Sequence, residues 1–288
     1  MKNKLEKQNM ENQMRAAADW EPLARGILRE PRLFQIGFVG ICEGAGATTV
    51  AAAAAAAIGR QHGRTVFAEG QRPQSGRMRT LDYLGLEQVL KKGKLPIYQD
   101  VNWQIAGFGG RARDGFENCG RLACGAACEG TRGAVSRDAA ALTPAGGIWI
   151  LDEPPQAQWQ RCDVLVCVVD PLPARVLAGL ARHHCLRAEQ KERESRGEHS
   201  LLWVMNKENP AVDRRELERF LKIRFDAALP LLPTEFFYQA AYQEMPWIRS
   251  LYAKETLFQK RDARTDDFRD AIETLSSAIF SRLPQFVI

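Results

Sequence analysis

Runs of residues apolar at nearly every position alternate along this chain with longer stretches that are apolar only at helical spacing. FQIGFVGI from Phe34, RTVFAEG, VNWQIAGFG, GIWILDEPP, CDVLVCVVDP, SLLWVMNK and AALPLLP read as strands, most of them apolar on both faces, as a strand buried within a sheet must be. Between them, helices are predicted over residues 47 to 60, in LGLEQVLKKG, from Pro173 to Gln190 and in DRRELERFLKIRF, with two more near Tyr238 to Ala253 and Thr265 to Leu283. The alanines of the first helix would let it lie close against a sheet. KERESRGEH reads as a charged link, and residues 110 to 147, rich in Gly, Ala and Cys, as irregular. Alternating strands and helices predict an α/β fold with a doubly wound, mostly parallel sheet and helices on both faces.

Residues 1–32 do not fit that pattern. They are polar to Ala18, and then Trp20, Leu23, Ile27 and Leu28 recur at helical spacing, which predicts a polar arm with one docked turn ahead of a single domain over 33–288. The charged beginning has no apolar core of signal-peptide length, so the expected location is the cytoplasm. Of 288 residues 45% are apolar, ample for a large core, and 40 basic residues against 35 acidic give +5, too small a charge to imply a nucleic-acid partner. Seven cysteines, an odd number, point to reduced thiols and away from a disulfide framework.

Chemistry concentrates where the first strand meets the alanine-rich helix, in GICEGAGATT. A glycine-rich turn between a strand and a helix N-terminus is an anion site: glycines let the backbone approach, N–H groups point inward and the helix dipole adds positive potential. Thr48 stands where a hydroxyl would meet Mg²⁺. The full phosphate loop reads G-x-x-x-x-G-K-[ST], and here Ala47 fills the lysine position and Ile41 the leading glycine position.

With the segments that follow, the loop resembles that of the MinD/ParA family of deviant P-loop ATPases, and the resemblance runs from about residue 34 to 283. The family's K-G-G-x-G-K-T-T, laid on Cys42 to Thr49, matches at Gly44, Gly46, Thr48 and Thr49. Both lysines are lost: Cys42 replaces the one that reaches a partner subunit, and Ala47 the one on the phosphates. EGQRPQSG is similar to the family's acidic second-strand segment, with Glu69 in the place that orients water. IWILDEPP resembles its Walker B strand, with Asp152 as the carboxylate on the Mg²⁺ side. WVMNK ends in Asn206, the residue that contacts adenine in the family, and LPTEFFYQAAYQEMPW is similar to the segment that closes over the base.

The resemblance implies a nucleotide site built from Gly44, Ala45, Gly46, Ala47, Thr48, Thr49 and Asn206, with Mg²⁺ between Thr48 and Asp152, and Glu69 and Asp152 as catalytic carboxylates. The losses then set the expectation. Each missing charged hydrogen bond is worth on the order of 1.5 to 3 kcal/mol. Phosphoryl transfer suffers more than binding, because it depends on cations that neutralise the transferred group. Glu43, in a glycine position, adds negative charge. The expected function is a MinD/ParA-like protein with weakened ATP and Mg²⁺ binding and little or no hydrolysis, which scaffolds or localises protein partners, forms a homodimer, and meets membranes only at their periphery. Similarly altered loops occur in the TadZ/CpaE group of pilus-assembly proteins. The alternative is an active ATPase of chromosome or plasmid partitioning or septum placement, whose nucleotide switches dimerisation. It requires a replacement cation at the loop, for which Arg60, Arg64, Arg72 and Arg77 are candidates.

Other features weigh less. Cys119, Cys124 and Cys128 are dense enough to suggest zinc or an iron–sulfur cluster, as in a redox protein similar in fold to nitrogenase iron protein, but their spacing matches no common closed site and a reduced loop is expected. His183, His184 and Cys185 fall on one helix, where neighbours point in different directions. Cys162 and Cys167 flank and fill a strand. The last helix is amphipathic with few basic residues, and packing on the domain is expected over membrane binding.

Overall fold

A computed structural model describes residues 34–62, 65–69, 97–100, 103–106, 147–242, 247–252 and 263–283. The arm over 1–32, the LGLEQVLKKG helix, the cysteines at 119, 124 and 128, and Arg64, Arg72 and Arg77 lie outside these residues. The described chain runs β1 (Phe34–Gly40), α1 (Ala47–His62), β2 (Thr65–Glu69), β3 (Ile97–Asp100), β4 (Trp103–Ala106), β5 (Ile148–Asp152), α2 (Gln156–Trp159), β6 (Val164–Val169) and α3 (Pro173–Ser195). It continues with β7 (Leu201–Glu208), α4 (Arg214–Leu221), β8 (Ala227–Pro230), α5 (Thr234–Tyr242), α6 (Trp247–Leu251) and α7 (Ala263–Arg282). The eight described strands form one sheet in the order β3-β4-β2-β5-β1-β6-β7-β8. All neighbours pair in parallel except β3 and β4, which are antiparallel at one edge.

The strands apolar on both faces feed two cores, because successive side chains point to opposite sides. Along β6, Val164, Val166 and Val168 join one core while Leu165, Cys167 and Val169 join the other. On the first face lies α1, whose alanines from Ala51 to Ala57 are all buried, under a cover of α6 and α7 that includes Trp247, Ile248, Leu251, Phe268, Ile272, Leu275 and Ile279. The second face is covered by α2, α3 and α4 through Trp159, Val176, Leu186, Leu217 and Leu221. The last helix therefore packs on the domain, as expected. No helix among the described residues is long and apolar enough to cross a membrane.

Several boundaries differ from the sequence reading. The single strand expected in VNWQIAGFG is the short β4, paired with an unanticipated β3. The helix expected to stop at Gln190 continues to Ser195, so most of the charged link is its last turns. Arg193 turns inward there while its neighbours in the same charged run are exposed. The helix over DRRELERFLKIRF is shorter: Asp213 caps it by accepting from the N–H groups of Arg215 and Glu216, and Lys222 ends it in a left-handed conformation at φ 53°. The helix expected from Tyr238 to Ala253 is two helices, α5 and α6, with Pro246, a residue that disfavours helix in the residue before it, between them in sequence.

Strands β1 and β6 lie side by side, yet β1 leads into α1 on one face and β6 into α3 on the other. Connections that diverge between neighbouring strands open a crevice beyond their C-terminal ends, where ligands bind in sheets of this type. Every feature of the site below stands around that crevice.

Candidate functional site

The loop from Ile41 to Gly46 joins β1 to α1, with the Ile41 N–H tied to the Val168 carbonyl of β6 at 2.9 Å. Gly44 and Gly46 hold φ of 75° and 86°, a region that disfavours any side chain. A Cβ on Gly46 would also stand 2.2 Å from the Asn206 amide nitrogen. At the start of α1, the first N–H groups have no carbonyl one turn back within the helix and face the loop end, as an anion cradle requires.

Across the loop, Thr48 donates its hydroxyl to both Asp152 carboxylate oxygens, at 2.9 and 3.2 Å. Asp152 ends β5 and is buried, and its neighbour in register on β2 is Glu69. Hydroxyl and carboxylate thus meet directly at the C-terminal end of β5. Glu153, held at φ 50°, turns back so that one oxygen accepts the Gly40 N–H at 2.8 Å and the other pairs with Arg182 of α3 at 2.8 Å. It braces the start of the loop against α3.

Three consecutive loop carbonyls receive donors from outside the loop. Arg175 donates from Nη1 to the carbonyl of Glu43, Lys207 from Nζ to Gly44 at 2.8 Å, and Asn206 from Nδ2 to Ala45 at 2.9 Å. Lys207 also pairs with Asp170 at 2.7 Å, and Asp170 in turn accepts the Leu172 N–H at 3.0 Å, fixing the turn into α3. Glu153 and Lys207 both occupy the left-handed region that non-glycine residues avoid, at a cost on the order of 1–3 kcal/mol each, and both sit at strand ends touching the loop. The contacts these two residues make with the loop, at the C-terminal ends of the strands, offset that strain and hold the loop in place.

The structure accordingly brings Gly44, Ala45, Gly46, Ala47, Thr48, Thr49, Asp152 and Asn206 together at one end of the sheet, and places the backbone of Glu69 beside Asp152. Asn206 is buried with its amide nitrogen on the loop. Sequence reasoning missed Arg175, Lys207, Arg182 and Asp170. Lys207 carried a signal, being next to Asn206 at a strand end. Arg175 carried none, because only the fold sets the first turn of α3 beside the loop.

Of the arginines proposed as replacement cations, Arg60 lies at the far end of α1 with its guanidinium 4.7 Å from the centre of the Tyr252 ring. Burial pushes the Cys42 thiol up, helped next by the charge of Asp170, so the residue in the first lysine position stays a neutral thiol. Glu43 is exposed. No group of three or more His, Cys, Asp or Glu among the described residues could hold a metal ion. His183 is buried against the Trp203 indole while His184 and Cys185 are exposed, so the three do not converge.

The residues fit a nucleotide in shape and donor chemistry: a positive-φ glycine cradle, a helix N-terminus, a hydroxyl–carboxylate pair on the Mg²⁺ side, and a buried amide at the rim. They do not supply a lysine to the phosphates from within the loop.

No protein-family model matches the sequence, and a comparison with curated proteins finds no relative. Solved structures do match. A ParA family ATPase from Chlorobium tepidum is 14% identical and superposes with a TM-score of 0.52 over 85% of this chain and 98% of its own. MinD from Aquifex aeolicus, in its complex with MinC, is 11% identical with a TM-score of 0.53 over 88% of this chain and 98% of its own. The same protein solved as MinD is 12% identical with a TM-score of 0.52, over 88% and 99%. The architecture of this chain is that of the ParA and MinD P-loop ATPases.

Proposed function

We propose that the chain binds an adenine nucleotide as a ligand, with little or no hydrolysis, and works by positioning protein partners, in the manner of a localisation factor built on the MinD/ParA fold. The observation that carries this reading is the state of the loop. Its two lysine positions hold Cys42 and Ala47, and the cations that the described residues bring to it, Arg175 and Lys207, are bonded to its carbonyls. Gly44 to Thr49 would hold the phosphates, Thr48 and Asp152 the Mg²⁺, and Asn206 the base. Bound Mg²⁺ would supply charge neutralisation at the phosphates, but the transferred group would lack the lysine that lowers the barrier to its loss.

Equilibrium binding of a fluorescent adenine nucleotide, read beside phosphate release, tests the proposal. Binding without release above background is expected, and Ala47→Lys tightens it about tenfold by restoring one charged hydrogen bond. Micromolar affinity with measurable release by the unaltered chain would establish the alternative, an active partitioning-type ATPase. The resemblance to the TadZ/CpaE group supports a role in pilus assembly, and the MinD bound to MinC among the similar structures supports a protein partner.

A further inference from the structure

The clamp on the loop carbonyls has one member whose charge is left uncompensated. Along α3, Arg182 pairs with Glu153, Arg193 with Glu189, and Arg196 with Glu192 and Glu198. Lys207, the other cation at the loop, has Asp170. Arg175 has no carboxylate within ion-pair reach among the described residues. It is exposed, and its one side-chain hydrogen bond among the described residues goes to a neutral backbone carbonyl, that of Glu43. A guanidinium carries five donors, so four remain for another acceptor.

Its placement is specific. A Cβ built on Gly44 would stand 2.9, 3.1 and 3.2 Å from Nη1, Cζ and Nη2 of Arg175, so the planar group rests on the space that a side chain at position 44 would fill. Gly44 therefore both turns the loop and admits the guanidinium to it. The helix that carries Arg175 follows β6, across the crevice from α1, so the arginine approaches from the side opposite the helix N-terminus that faces the phosphates.

We infer that Arg175 reads the terminal phosphate of a nucleoside triphosphate held by the loop, giving up the Glu43 carbonyl to do so. The inference rests on the nucleotide-binding half of the reading above, and it leaves the lysine position at Ala47 unreplaced. A phosphate offers charged oxygens in the spacing that a guanidinium meets with two parallel bonds, and this outcompetes one neutral carbonyl. A diphosphate presents no third phosphate, and Arg175 then stays on Glu43. Arg175 is thus a specificity residue that tells triphosphate from diphosphate at a loop whose own lysine positions hold Cys42 and Ala47.

Titration calorimetry of the full chain with Mg-ATP and with Mg-ADP tests this, on the unaltered protein, Arg175→Ala and Arg175→Lys, with thermal melting to confirm that each is folded. The unaltered chain is expected to prefer the triphosphate by about tenfold. Arg175→Ala brings the ratio to about one while diphosphate affinity stays within about twofold, and Arg175→Lys falls between, keeping the charge without the fork. A ratio near one in the unaltered chain, an unchanged ratio in Arg175→Ala, or equal loss of both nucleotides overturns the inference and leaves the nucleotide reading standing. Failure of the unaltered chain to bind either nucleotide overturns both.

Discussion

Helix α3 carries an arginine near each end, and each grips backbone carbonyls of another segment, with opposite consequences. Arg193, near the C-terminal end, is buried. It donates to Glu189, to the Cys162 carbonyl, to the Ser200 hydroxyl and to the Trp159 carbonyl. It ties α3 to the connection between β5 and β6 and to the start of β7, and every arm of the guanidinium is in use. Arg175, in the first turn, is exposed and holds one carbonyl. The first arrangement staples the fold and the second leaves a charge available. The same residue type on the same helix thus serves permanence at one end and exchange at the other, and what separates them is burial and the number of acceptors.

Breaking the stapled end should cost most. Arg193→Ala leaves Glu189 buried without its partner and three acceptors unmet, and chemical denaturation is expected to show a loss of about 3–5 kcal/mol. Arg175→Ala should leave the denaturation midpoint almost unmoved, and a comparable loss there would erase the distinction. Next comes the loop itself. Gly46→Ala adds a Cβ 2.2 Å from the Asn206 amide at a φ that disfavours it, so stability should fall by about 1–3 kcal/mol and nucleotide binding should be lost with the displaced Asn206.

A smaller effect separates the two ends by pH. His183 lies between them on α3, and its pKa is lowered first by burial, then by the charges of His184 and Arg187. Protonation is easier in the unfolded chain, so its contribution is fully present above the ordinary histidine pKa and declines as pH falls through that value toward the folded one. Melting temperature should drop between pH 7 and pH 5, and His183→Phe should flatten that slope. Smallest is Glu218→Gln. The Glu218 carboxyl is held below its usual range first by the Phe225 N–H and also by Arg214, but it is half-buried at the surface beside a partly exposed partner and glutamine keeps an oxygen for that N–H, so the change should cost less than about 0.5 kcal/mol. Its contribution is present above the ordinary carboxylate pKa and disappears as acid protonates the folded state.

The central strands were legible because each is apolar on both faces, and the Thr48–Asp152 pair because hydroxyl and carboxylate fall at the ends of recognisable segments. The second half of α3 was not. A run as charged as KERESRGEH reads as solvated linker, and nothing local reveals that Arg193 within it is buried. The donors to the loop were hidden for a related reason. Lys207 and Arg175 lie 163 and 132 residues along the chain from the carbonyls they bond, and their contacts bridge segments which only the strand order brings together, β7 beside β6 and β6 beside β1. The edge strand β3 escaped because four residues carry too few positions for a period to register.

The alanine-packed helix α1 has a bearing on how this protein tolerates change. From Ala51 to Ala57 it is enclosed between the sheet and the layer of α6 and α7, and its own side chains over that stretch are all methyl groups. It acts as a shim whose thickness sets where Thr48 stands relative to Asp152. A valine introduced two or three turns along the helix would lift the whole rod, and the hydroxyl with it, from the carboxylate. Damage far from the crevice would then present as a lesion of the phosphate loop.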